Sequence, residues 1–187
     1  MARMDTFPVT NLVRLPVHEG SPQIVNMIVE VPKDSANKYE YDPVSGMFRL
    51  DRVLYSPLHY PGDYGFVPST LAEDDDPLDI LVLMGQPSFP GCLMQARPLG
   101  FLEMTDEKGP DQKVLAVPLH DPRYDGYHTL GDVHPHRLRE IEHFFAIYKE
   151  LEMKSVTVDG WRDTPETLAL IKATERRFAA EPVKTMR

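Results

Sequence analysis

Turn-forming residues punctuate this chain at short intervals, as at Asp42-Pro43 with Ser45-Gly46, Tyr60-Pro61-Gly62, Phe89-Pro90-Gly91 and Lys108-Gly109-Pro110. The stretches between them are rich in β-branched and aromatic residues, which predicts strands over Ile24–Val31, Lys38–Tyr41, Phe48–Tyr55, Ile80–Met84, Leu93–Phe101, Val114–Leu119 and Val156–Val158. Many short strands without alternating helices argue for an antiparallel barrel or sandwich and against a parallel α/β sheet.

Helical signals come late. Leu138, Ile141, Phe144, Phe145, Tyr148 and Leu151 recur at helical spacing between about Pro135 and Lys154, with Pro135 suited to a first turn. A second helix is predicted from Thr164-Pro165-Glu166, read as N-cap, first-turn proline and dipole-favoured acid, running toward Phe178. Both are expected to cover the barrel. No internal repeat or linker divides the chain, so residues 1–187 are expected to form a single domain, with 1–22 an irregular arm and 181–187 a polar tail.

Charge narrows the function. Twenty basic against twenty-nine acidic residues give a net charge of −9, which disfavours nucleic acid and anionic membrane as partners and favours cation binding. The single Cys92 forms no internal disulfide and reads as a small packed hydrophobe. Without a basic-then-apolar leader or a long apolar run, the expected location is the cytoplasm.

Glu73, Asp74, Asp75, Asp76 and Asp79 gather just before the apolar run Ile80–Met84. Two like charges about 4 Å apart near a protein surface repel by roughly 4 kcal/mol, so such crowding calls for a cation between them unless the acids sit on a solvated loop. The spacing lacks the alternating acids and central glycine of an EF-hand, and no thiolate set offers a zinc site. A hard divalent cation that accepts oxygen ligands, magnesium or calcium, fits better, magnesium being the one that typically shares itself between carboxylates and substrate phosphates. A second acidic stretch, Glu103 to Asp111, precedes the strand at Val114, with Lys113 just beyond it. A third set mixes signs: Glu30, Lys38-Tyr39-Glu40 and Asp51-Arg52, where strand alternation puts Lys38 and Glu40 on one face. Taken singly, each of these residues reads as surface charge or core packing.

Taken together, these motifs resemble those of the family I soluble inorganic pyrophosphatases, from about Glu30 to Trp161. Asp74-Asp75-Asp76-Pro77-Leu78-Asp79 is similar to the family's Asp-small-Asp-Pro-apolar-Asp pattern, with Tyr60-Pro61-Gly62-Asp63-Tyr64-Gly65-Phe66 upstream. Lys38-Tyr39-Glu40, Asp51-Arg52, Thr105-Asp106-Glu107, Asp111 with Lys113, His143-Phe144-Phe145, Tyr148-Lys149 and Gly160-Trp161 follow in the family's order.

The resemblance implies a mainly β (α+β) fold, an OB-like closed five-stranded barrel with two C-terminal helices packed on it, hydrolysing pyrophosphate to two orthophosphates. It implies several magnesium ions, with Asp74, Asp79 and Asp111 around the attacking water, Asp106 with Asp111 around a substrate-borne ion, and Glu30 and Glu40 completing the acidic rim. Asp76 takes the place of the general base. Lys38, Arg52, Tyr64, Lys113, Tyr148 and Lys149 match positions that grip the two phosphoryl groups. Asp75 departs from the family's commonest glycine, a change that a left-handed turn tolerates. His143 is present, but Ile147 stands where hexameric relatives often carry a second histidine; a homo-oligomer is implied, a homohexamer favoured. The loop from Asp121 to His136 matches no recognised pattern.

Two other readings stay open on the residues alone: a magnesium phosphohydrolase of broader range, and a non-catalytic OB-like binding module. The module reading requires a basic, aromatic groove, and the dense clusters here are acidic apart from Arg176-Arg177.

Overall fold

The computed structural model describes residues 11–181; residues 1–10 of the expected arm and 182–187 of the expected tail lie outside the described residues. Eight strands and two α-helices follow in the order β1 (Val25–Val31), β2 (Asn37–Asp42), β3 (Met47–Val53), β4 (Asp63–Phe66), β5 (Asp79–Val82), β6 (Leu93–Asp106), β7 (Gly109–Pro118), α1 (Pro135–Ile147), β8 (Thr157–Asp163) and α2 (Thr164–Ala180).

Five of the strands close into a ring in the order β1-β4-β5-β7-β6, completed by a second pairing of β1 with the start of β6. All neighbours are antiparallel except β5 and β7, which run parallel and place Asp79 opposite Lys113. Strand β8 joins the far end of β6 outside the ring, and β2 with β3 forms a separate hairpin. The expected mainly β architecture with two late helices is therefore observed.

Alternation along the ring strands feeds two apolar clusters. Ile80 and Val82 pack with Val25, Met27, Val114 and, from α2, Ile171. Leu81 and Leu83 turn the other way, onto Leu115, Val117 and the α1 residues Ile141, Phe144 and Phe145. Tyr60, Tyr64, Phe144, Phe145 and Tyr148 stack in succession, with centroids 5.0 Å apart for Tyr60 and Phe144 and 5.4 Å for Phe144 and Tyr148.

Strand β4 is absent from the sequence expectation, because Tyr60-Pro61-Gly62 reads as a turn and glycine depletes strand propensity. The structure explains the glycine: a Cβ on Gly65 would overlap the carbonyl oxygen of Ile28 across the β1–β4 ladder. Asp63, fully buried, holds the strand's entrance by accepting the backbone N–H groups of Lys33 at 2.8 Å and Ser88 at 3.1 Å. What reads as an acidic turn over Glu103–Asp111 is mostly paired strand; only Glu107 and Lys108 form the turn, and Asp106 faces Gly109.

The first late helix stops at Ile147 and not near Lys154, giving way to a 3-10 turn over Glu150–Glu152 that Met153 ends at φ +60°. The second begins as expected but one residue early in its cap. Asp163 is the N-cap, its N–H bonded to Glu166 at 3.2 Å, while the Thr164 hydroxyl donates to the Leu99 carbonyl at 2.6 Å. The part of the arm that is described packs down: Val13 and Val17 are buried, and Ser69 N–H reaches the Val13 carbonyl at 2.7 Å.

Gly65→Ala is expected to force β1 and β4 apart and to lower the unfolding free energy by about 3 kcal/mol, a loss read directly from urea denaturation midpoints.

Candidate active site

Loops and strand ends on one side of the ring surround a cleft of about 580 Å3. Its wall contains Glu30 from β1, Lys38 and Glu40 from β2, Tyr64 from β4, Asp74 and Asp76 from the loop before β5, and Asp79 at the start of β5. It also contains Asp106 from the end of β6, Asp111 and Lys113 from β7, and Tyr148 and Lys149 just past α1. Every residue singled out from the sequence is thus gathered there except Arg52.

The local chain explains the convergence. Asp111 and Lys113 are two apart on one strand and so share a face, as do Lys38 and Glu40 on β2. Asp75, at φ +67°, turns the loop in the left-handed region, which lets its two neighbours Asp74 and Asp76 both face the cleft.

Lys113, almost wholly buried, occupies the centre of the charge network. Its ammonium pairs with Asp79 and, at 2.7 Å, with Asp111, and lies 3.2 Å from the Tyr64 hydroxyl. Burial disfavours the ammonium, but Asp79, Tyr64 and Asp111 outweigh it and hold the Lys113 pKa well above the ordinary lysine value. Lys149 reaches Asp106 at 2.8 Å and lies 5.2 Å from the Tyr148 ring centroid. Lys38 pairs with Glu40 and stands 3.7 Å from Asp51.

The acids respond individually. Burial pushes Glu30 up to about 8 against the opposing hydrogen bond from Tyr41 N–H, so the metal-free protein carries a proton there at neutral pH. A cation bound by Glu30 must displace that proton. Asp76 is raised by burial and by its neighbour Asp74, with Lys108 opposing at 3.6 Å. Asp111 is raised by burial, with Lys113 pulling down and Asp79 pushing up. Asp106 is lowered: the hydrogen bond from Lys149 and the backbone N–H of Lys108 overcome its desolvation.

As the side chains stand, no group of three His, Cys, Asp or Glu among the described residues closes tightly enough to enclose an ion. The carboxylates lean instead on lysines. The carboxylate donors nevertheless fit a hard divalent cation: they are all oxygen, clustered on several chain segments, and among the described residues Asp74 has no ion pair.

Arg52 is placed differently. It lies outside the cleft wall, its Nε donating to Glu152 at 2.8 Å and its Nη1 paired with Asp51. Among the wall residues without a site role from the sequence are Asp75, Lys108 and Tyr60. Asp75 stands out in the sequence as a member of the acidic cluster and a departure from the family pattern, and Lys108 as one charge in a charged turn. Tyr60 has a buried hydroxyl without a hydrogen-bond partner among the described residues. Its place in Tyr60-Pro61-Gly62 was the available signal, masked by the strength of the turn.

A pocket in which clustered carboxylates face lysines and tyrosines defines a class of site, one that handles a polyanion through cations. Comparison with known proteins specifies it. The family model described as inorganic pyrophosphatase matches residues 27–179. A curated inorganic pyrophosphatase from a Nostoc species is 51% identical over 168 residues, covering 90% of this chain and 99% of the relative. The crystal structure of inorganic pyrophosphatase from Thermus thermophilus superimposes with a TM-score of 0.89 at 49% identity, covering 91% of this chain and 100% of that one. The Helicobacter pylori inorganic pyrophosphatase structure gives a TM-score of 0.85 at 37% identity over 89% of this chain and 99% of that one. The chain belongs to the inorganic pyrophosphatase family.

Replacing Lys113 by Met strands Asp79 and Asp111 beside each other with no ammonium between them. In chelator the variant is expected to lose about 3 kcal/mol of stability, as broken buried pairs do. Adding a divalent cation should restore part of that loss, which thermal unfolding with and without the metal would show.

Proposed function

We propose that this chain hydrolyses inorganic pyrophosphate to two orthophosphates, with magnesium as its divalent cation. The observation that carries this reading is the convergence of Asp74, Asp76, Asp79, Asp106 and Asp111 with Lys38, Lys113 and Lys149 in one cleft of a chain of this family. Asp74, Asp79, Asp106 and Asp111 hold the metal, with Glu30 and Glu40 at the rim. Bound there, a divalent cation supplies positive charge against the substrate oxygens and makes an attacking water more acidic.

Asp76 is the general base. It stands on the loop before β5 between the metal-holding Asp74 and Asp79, where its carboxylate receives the proton of the attacking water. The substrate and the attacking hydroxide are both anions, so fixed positive charge must meet the oxygens as electrons move toward the departing phosphate. Lys38, Lys113 and Lys149 supply it, and the Tyr64 and Tyr148 hydroxyls donate hydrogen bonds that fix the phosphoryl groups. Arg52 approaches the departing phosphate from the hairpin, opposite Lys38 in the β2–β3 register.

The same reading places the protein in the cytoplasm as a single-domain homohexamer. Supporting it are the absence, among the described residues, of any helix long and apolar enough to cross a membrane, and the exposure of His143 on α1. Light scattering of the purified protein reports the assembly directly, and a monomer would overturn that part of the reading.

With magnesium, phosphate release from pyrophosphate is expected to exceed that from ATP or a simple monoester by orders of magnitude, and chelation to abolish it. Comparable rates across those substrates would point to a phosphohydrolase of broader range. Asp76→Asn is expected to keep the wild-type unfolding midpoint and metal affinity while losing at least about 100-fold in turnover. Near-normal phosphate release from it would remove Asp76 from the base role.

A further inference from the structure

The contact between Arg52 and Glu152 joins residues one hundred positions apart, and it spans two of the chain segments that bring cations to the cleft. One segment is the β2–β3 hairpin, where Arg52 lies across from Lys38 in the strand register. The other is the short turn after α1, where Glu152 follows Tyr148 and Lys149 in a 3-10 helix closed by Met153 in the left-handed conformation.

Glu152 is built into this place. Its side chain is 6% exposed, a level at which a carboxylate is costly without partners. One oxygen accepts Arg52 Nε at 2.8 Å and the other lies 3.3 Å from Lys154 Nζ. Asp51 engages Arg52 Nη1, and Nη2 has no partner among the described residues. A guanidinium is a rigid planar fork, so holding it at Nε and Nη1 fixes the direction of Nη2. Nη2 is then the donor left for a phosphate oxygen.

Arg52 is close enough to act on the cleft although it does not line it. Its charge acts on both Lys38 and Tyr60, two residues of the cleft wall.

We infer that Glu152 is a positioning residue of this enzyme: through Arg52 Nε it aims the unpaired Nη2 of the guanidinium at the substrate phosphate and ties the hairpin to the turn that carries Lys149. The inference rests on the substrate role given to Arg52 above. It extends the binding machinery to a side chain that touches neither substrate nor metal.

Steady-state kinetics on Arg52→Ala, Glu152→Ala, Glu152→Gln and the double variant Arg52→Ala/Glu152→Ala, at saturating magnesium, test it. Arg52→Ala is expected to raise KM for pyrophosphate. Glu152→Ala should raise it about tenfold, in keeping with loss of one charge-assisted hydrogen bond, with kcat within about twofold of wild type. Glu152→Gln, whose amide oxygen still accepts from Nε, should stay within about threefold of wild type. In the Arg52→Ala background, removing Glu152 should add nothing to KM.

An unchanged KM in Arg52→Ala would overturn the substrate role of Arg52 and the inference with it. A raised KM there beside an unchanged KM in Glu152→Ala would overturn the inference alone. An equal further loss in the double variant would show that Glu152 acts on the fold and not through Arg52. Should Glu152→Ala not fold, the same cycle run with Glu152→Gln decides the matter, because coupling between the two sites then appears as a smaller but still non-additive change in KM.

Discussion

Asp79 and Asp111 end up side by side because β5 and β7 run parallel with Asp79 opposite Lys113, and the buried ammonium of Lys113 is what makes that proximity tolerable. Unscreened, two carboxylates in such a place would repel by several kcal/mol, roughly 4 at 4 Å near a protein surface. The strand register therefore carries the chemistry. A shift of one residue in β7 would turn Lys113 and Asp111 together to the opposite face and leave Asp79 without its partner. The apolar clusters on the two faces of the ring fix that register, since Ile80 and Val114 belong to one of them and Leu81 and Leu115 to the other.

The same logic extends outward. Lys149 answers Asp106, and Lys38 answers Glu40, so the cleft is a set of opposed charges drawn from separate chain segments. A protein with an overall charge of −9 thereby presents a surface that an anion can enter. Glu30 completes the pattern differently: lacking an adjacent cation strong enough to offset burial, it keeps a proton instead.

Residue chemistry was legible in the sequence wherever it was concentrated locally. The run Asp74 to Asp79 announced an acidic wall of the cleft, strand alternation placed Lys38 with Glu40, and the apolar spacing from Leu138 to Tyr148 announced α1. Legibility failed where the determining contact lies far along the chain. Strand β4 has a glycine that only the approach of Ile28 explains, and α1 stops before Lys154 although the apolar spacing continues through Leu151. Arg52 could be recognised as a cation in the right motif, but its attachment to Glu152 depends on how the hairpin folds back across the molecule. Tyr60 lies in a motif the resemblance covers but reads there as part of a turn, and Lys108 carries no local pattern beyond the turn that contains it.

Strand β6, fourteen residues without interruption, pairs with β1 near its start, with β7 along most of its length and with β8 toward its end. The seam that closes the ring and the tip that holds Asp106 are thus two ends of one stiff beam. A chain break or an inserted peptide between Leu93 and Asp106 would open the ring and displace a carboxylate of the cleft wall in a single event. New termini are better tolerated at the exposed Gln86–Pro87, between β5 and β6, which contributes nothing to the cleft wall.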